Sequence, residues 1–102
     1  MKLSTRNSAN GRVISIEADA ELDLKAHGVF VDACRRAEYP EHNTIDVDLR
    51  RTRKIRASGM AMLLMLRELT GREGPRIRVR NSNPDIRKQL MKSIVSQQLQ
   101  VV

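Results

Sequence analysis

The chain has 102 residues, enough for one domain with one core. Apolar residues make up 40% and charged residues 30%, which excludes a disordered chain. Aromatic residues, at 2%, are too few to supply the stacking platforms of single-stranded nucleic-acid binders. A net charge of +7, from 19 basic and 12 acidic residues, favours acidic partners without naming one.

Residues Lys2 to Arg6 fit a short edge strand. The turn formers Asn7 to Gly11 then predict a hairpin into a second strand over residues 12–18, where Ile14 and Ile16 share one side. A helix follows, capped by Asp23, or by Asp19 if it starts earlier. Its apolar stripe is Leu22, Ala26, Val29, Phe30, Ala33, Cys34 and Ala37, and Pro40 closes it. Ile45, Val47 and Leu49 alternate with Thr44, Asp46 and Asp48, which marks a strand.

After the loop Arg50 to Arg56 comes an apolar helix over Met60 to Leu69, ended by Gly71 as C-cap. Arg76 to Arg80 alternates again as a strand. Asn83 and Pro84 open a last helix with Ile86, Leu90 and Ile94 on one face. The final Gln98 to Val102 either adds a short strand or docks the terminus. Strands that alternate with helices predict an α/β fold with a largely parallel centre.

Cys34 is the one cysteine, so neither a disulfide framework nor a thiolate metal cluster is expected. Placed on the apolar stripe, it reads as a buried, inert thiol. His27 and His42 lack ligand-spaced companions, and Asp46 and Asp48 are weak evidence for acid–base chemistry. There is no phosphate-loop, dinucleotide or nucleophile-elbow motif. No enzyme, metal or cofactor is expected. The opening residues lack an apolar leader and no run is long enough to span a bilayer, so a cytoplasmic protein without direct membrane insertion is expected.

The loop is the candidate site. Arg50, Arg51, Arg53, Lys54 and Arg56 place five positive charges in seven positions, between a strand and a helix. In open α/β sheets such loops gather ligands, and a helix start adds positive field. Ser58 reads first as the N-cap of the following helix, and also as a phosphorylation candidate in a basic setting. Thr52 is a second candidate. Met60, Met62 and Met65, with Leu66, could form an adaptable contact surface, or else ordinary core.

The order of elements, together with Asp48-Leu49, Arg56-Ala57-Ser58-Gly59, Gly71, Gly74 and Asn83-Pro84, resembles the STAS domain of anti-sigma-factor antagonists. Residues Ala20 to Asp23 resemble that family's Gly-Glu-Leu-Asp. The resemblance implies a single STAS-like domain over residues 1–102, with a four- to five-stranded mixed sheet and three to four helices. It also implies a partner-switching role, with docking through the loop and the following helix start and release on phosphorylation of the first serine of Asp-Ser-Ser-Gly. Here the acid is Arg56 and that serine is Ala57, so the usual phosphoacceptor is missing.

The sequence therefore predicts a non-enzymatic interaction module not controlled at the standard site. Its partner-binding residues would be Arg53, Lys54, Arg56, Ala57, Ser58, Gly59 and Met62. The expected partner is an acidic protein surface, such as that of an anti-sigma factor or a serine kinase-like regulator. Two alternatives stay open: a STAS accessory subunit of an ABC-type lipid transporter, and a basic nucleic-acid-binding module, the latter disfavoured by the missing aromatics and recognition motifs. A homodimer is compatible with this sequence.

Overall fold

The computed structural model describes residues 1–9, 11–38 and 43–102. Asn10 of the expected hairpin turn, Tyr39, the helix-closing Pro40 and His42 lie outside the described residues.

The sheet begins with β1 (Lys2–Ser8) paired antiparallel to β2 (Gly11–Glu17). The chain then forms a two-residue strand, β3 (Glu21–Leu22), and a 3-10 turn, Leu24–Ala26. Helix α1 (His27–Arg36) continues from that turn. Next come β4 (Thr44–Asp48), the short β5 (Lys54–Ile55) and α2 (Ala57–Thr70). The last elements are β6 (Arg76–Arg80), α3 (Pro84–Met91), α4 (Val95–Gln98) and β7 (Gln100–Val101).

The main sheet has the order β1-β2-β4-β6-β7, parallel except for the first pair. The two short strands β3 and β5 form a separate parallel pair. Among the described residues the expected mixed sheet is thus present with five strands, alongside four helices. Gln98 to Val102 resolves toward the strand alternative.

Strand alternation sets the core. Ile14, Ile16, Ile45, Val47, Ile77 and Val79 point to one face and meet Phe30, Leu63, Leu66 and Leu90 from the helices. Each such side chain contributes about 1.5–3 kcal/mol on burial. The partner residues in β2, β4 and β6 point to the other face, which is polar and carries none of these helices' core side chains.

Local sequence accounts for the helix ends. The Asp23 carboxylate accepts the Lys25 N–H at 3.0 Å, so it caps the 3-10 turn rather than α1 itself. Leu22, expected on the helical stripe, lies instead in β3, still fully buried. Asn83 accepts the Ile86 N–H at 2.8 Å with Pro84 at the first helical position, as expected. Gly71 ends α2 at φ +78°, and its N–H donates to the Arg67 carbonyl.

Two further expectations are corrected. The face Ile86–Leu90–Ile94 does not run through. Ser93 donates its hydroxyl to the Leu90 carbonyl (2.8 Å) and accepts the Val95 N–H (3.1 Å), which breaks the helix after Met91. Ile94 is consequently exposed, and Val95 takes the core position. Cys34 is only partly buried, at the edge of the core, with its thiol pKa pushed up by desolvation.

Candidate partner-docking surface

The expected site lies where β4 ends. Leu49 is buried and its N–H donates to the Arg80 carbonyl, so the chain leaves the sheet at a fixed point. The Asp48 carboxylate accepts the Arg50 N–H at 2.9 Å and the Asn81 side-chain amide at 3.1 Å. Thr52 then turns inward. It is 2% exposed, and its hydroxyl donates to the Asp19 carbonyl at 2.8 Å.

From there the loop is laced to the segment before α1. Arg53 and Lys54 N–H groups both donate to the Ala20 carbonyl, at 2.8 and 3.2 Å, and the Arg56 N–H donates to the Leu22 carbonyl at 2.9 Å. These bonds and the β3–β5 pair join the 18–23 and 50–56 segments into one platform. Gln89 of α3 braces it from behind, donating to the Ile55 carbonyl at 3.3 Å.

Gly59 makes the joint close. A Cβ there would collide with the Leu22 carbonyl, so the first turn of α2 can lie directly on β3 only without a side chain. The Arg56 guanidinium reaches Glu21 at 3.2 Å, with both side chains about half exposed. In that solvent-screened setting the pair contributes no more than about 1 kcal/mol.

The N-cap reading of Ser58 is overturned. The cap position is Arg56, with φ −76° and ψ 164°, and no side chain caps α2. Arg56 follows β5 in extended geometry and the chain turns helical at once, so Ser58 falls at the second helical position. Met62 is likewise moved off the expected contact surface: α2 turns it into the core, with Leu66. Met60 and Met65 pack only partly against that core and keep an outward side.

The remaining expected residues come together. Arg53, Lys54, Arg56 and Ala57 are exposed side by side along the β5–α2 junction, Ser58 is exposed only in part and Gly59 is buried. Sequence reasoning missed Leu24, which is 62% exposed on the turn packed against α2. Its signal was present: an apolar residue off the stripe of Ala26, Phe30 and Ala33. It also missed how β4 and β6 register pairs Asp46 with arginines. Asp46 is 3% exposed and accepts Arg78 through both oxygens, at 2.7 and 2.8 Å, and Arg80 at 3.3 Å. That carboxylate raises the Arg78 pKa, chiefly through the hydrogen bond. Its oxygens are thus committed to arginines.

Among the described residues, no group of three histidine, cysteine or acidic side chains could hold a metal ion. No helix among them is long and apolar enough to cross a membrane.

A family model described as "Mlab, STAS domain" matches residues 5–99. The chain belongs to the STAS-domain family. A STAS-domain containing protein of Pseudomonas aeruginosa strain UCBPP-PA14 is 33% identical over 88 residues, 86% of each chain. The solved structure of the anti-sigma factor antagonist SpoIIAA, in its unphosphorylated form, superposes with a TM-score of 0.63. That match is at 20% identity and covers 99% of this chain and 87% of SpoIIAA. The sheet order and helices described above are therefore those of a STAS fold.

Proposed function

We propose that this STAS domain is a non-enzymatic docking module of the anti-sigma-factor-antagonist type, and that it binds an acidic surface of a protein partner through the β5–α2 junction. The observation that carries the reading is the platform itself. Arg53, Lys54 and Arg56 are held by backbone bonds to the 18–23 segment and stand exposed beside Ala57. Prior ordering of a binding surface lowers the entropy that docking must overcome. Arg53 and Lys54, with Arg56, whose guanidinium also reaches Glu21, put positive charge next to the small, uncharged Ala57, which suits carboxylates on the partner and steers its approach. SpoIIAA is an anti-sigma factor antagonist, which supports an anti-sigma factor or a serine kinase-like regulator as the partner class for this chain.

Docking at this surface is independent of phosphorylation at the standard position, because Ala57 carries no hydroxyl. Thr52 has its hydroxyl turned into the protein, which disfavours modification there. Ser58 remains the acceptor candidate of the junction. A charge added at Ser58 would sit at the positive end of α2 and disturb docking without unfolding the helix.

The test is affinity capture from the native cytoplasm, identification of the partner, and measurement of its affinity for variants. Arg53→Glu with Arg56→Glu should weaken binding at least about tenfold, more at low salt than at high. Ser58→Asp should keep the thermal midpoint and lose the partner. Unchanged affinity in the double variant would refute the reading. Capture of a transport ATPase and no regulator would replace it with the transporter-subunit role.

A further inference from the structure

Among the described residues, the five-stranded sheet has one face packed under helices and one without them. On the uncovered face, register places Arg6, Val13, Thr44 and Arg76 in one row across the strands. Ser4, Ser15, Asp46 and Arg78 form the next, and Lys2, Glu17, Asp48 and Arg80 the third. Val13 is 7% exposed yet stands outside the helix-side core, so neighbouring side chains lie over it on this face.

The charge on this face is organised along β6. Arg76, Arg78 and Arg80 occupy alternate positions, which spaces them about 6.6 Å apart along the strand. Asp46 lies beneath the middle of this row and accepts from Arg78 and Arg80. Its negative charge is therefore spent within the cluster, and it fixes two of the guanidinium groups on the sheet. Arg78 gives Nε and Nη2 to Asp46 and keeps Nη1 uncommitted to it. Arg6 and Arg76 are exposed and have no carboxylate partner among the described residues. The first row holds two arginines and no acid.

We infer that the uncovered sheet face is a second docking surface, and that it takes an extended segment of a partner protein carrying acidic side chains at alternate positions. An extended segment presents every second side chain on one face, at the same spacing as the β6 arginines. Three carboxylates at alternate positions can thus meet three guanidinium groups in register, each as a charge-assisted pair. Glu17 and Asp48 share the third row with Arg80, so the attraction is concentrated on Arg76 and Arg78. Strands β1, β2, β4 and β6 contain no aromatic residue, so they offer no stacking platform for bases, which decides against single-stranded nucleic acid. The surface is separate from the β5–α2 junction and does not rest on the role proposed for it.

The test uses the full chain carrying Arg53→Glu and Arg56→Glu, which silences the loop. The probe is a short synthetic peptide alternating glutamate and threonine, titrated by NMR into isotope-labelled protein. The expected result is amide shifts at Thr44, Asp46, Arg76 and Arg78. Affinity should fall about tenfold as salt rises from ~50 to ~300 mM. Adding Arg6→Glu and Arg76→Glu should weaken binding about fivefold or more, with the circular dichroism spectrum unchanged. A peptide of the same composition with contiguous glutamates should bind more weakly. Absence of shifts on β4 and β6 would overturn the inference, as would equal binding of the contiguous peptide. Tighter binding of a single-stranded DNA of equal charge at this face would reassign it to nucleic acid.

Discussion

Replacing Gly59 by alanine tests how tightly the β5–α2 junction is built. Alanine is the better helix former by about 1 kcal/mol, so on propensity alone the change should stabilise α2. The geometry opposes this. The new Cβ would lie 2.7 Å from the Leu22 carbonyl carbon and 3.1 Å from its Cγ, and would overlap the carbonyl oxygen. Leu22 is fully buried and its carbonyl accepts the Arg56 N–H, so relief requires the backbone of β3 to move away from α2. Overpacking of this kind costs about 1–3 kcal/mol, and a weakened Arg56–Leu22 bond adds about 1 kcal/mol. After subtracting the propensity gain, Gly59→Ala should lose about 1–3 kcal/mol and, at about 4–8 °C per kcal/mol, lower Tm by roughly 5–20 °C. Gly28 is the internal control. It lies in the first turn of α1, and a Cβ added there would meet no atom within 4 Å, so Gly28→Ala should gain about 0.5 kcal/mol. Urea titration followed by far-ultraviolet circular dichroism measures both, since the chain has no tryptophan. Equal or greater stability of Gly59→Ala would refute the close-packed joint.

Three further outcomes are expected. Asp46→Ala removes the acceptor of three bonds from Arg78 and Arg80, and because the arginines keep some solvent access the loss should be about 2 kcal/mol in the same titration; a loss below about 0.5 kcal/mol would contradict the ion cluster. Thr52→Val keeps the shape but leaves the Asp19 carbonyl without its donor, so stability should fall by about 1 kcal/mol and amide exchange should quicken across residues 19–22 and 53–56. Cys34, with its thiol pKa raised by burial, should react with iodoacetamide more slowly in the folded than in the unfolded chain, with the rate climbing only at more alkaline pH; equal rates near pH ~8 would contradict this.

The elements were legible in the sequence where one periodicity dominated. Ile45 and Val47 declared β4, Ile77 and Val79 declared β6, and Asn83-Pro84 declared the start of α3. What escaped was decided by contacts between distant segments. The pair β3–β5 is two residues long on each side, too short to show a period, and exists because the two segments are adjacent in space. That same pairing puts Arg56 in extended geometry and starts α2 at Ala57, which is why Ser58 could not be placed from local capping preference. Met62 and Met60 could not be told apart on a helix apolar nearly all round, since only the position of the sheet assigns its inner side. The basic loop was visible, and its exposure beside Ala57 required the fold.

The contacts that build the β5–α2 junction also have a kinetic side. Thr52 and Asp19 are separated by 33 residues, as are the paired residues of β3 and β5, so the platform closes a long loop through α1 and β4. Such non-local closures require chain ordering before they gain anything, and they belong to the slow part of folding. A chain still emerging from synthesis, or one opened locally by heat, presents the arginines on a slack segment and not as an ordered set. The docking proposed at this junction would then discriminate finished molecules from unfinished ones, with no sensor beyond the joint between Leu22 and Gly59.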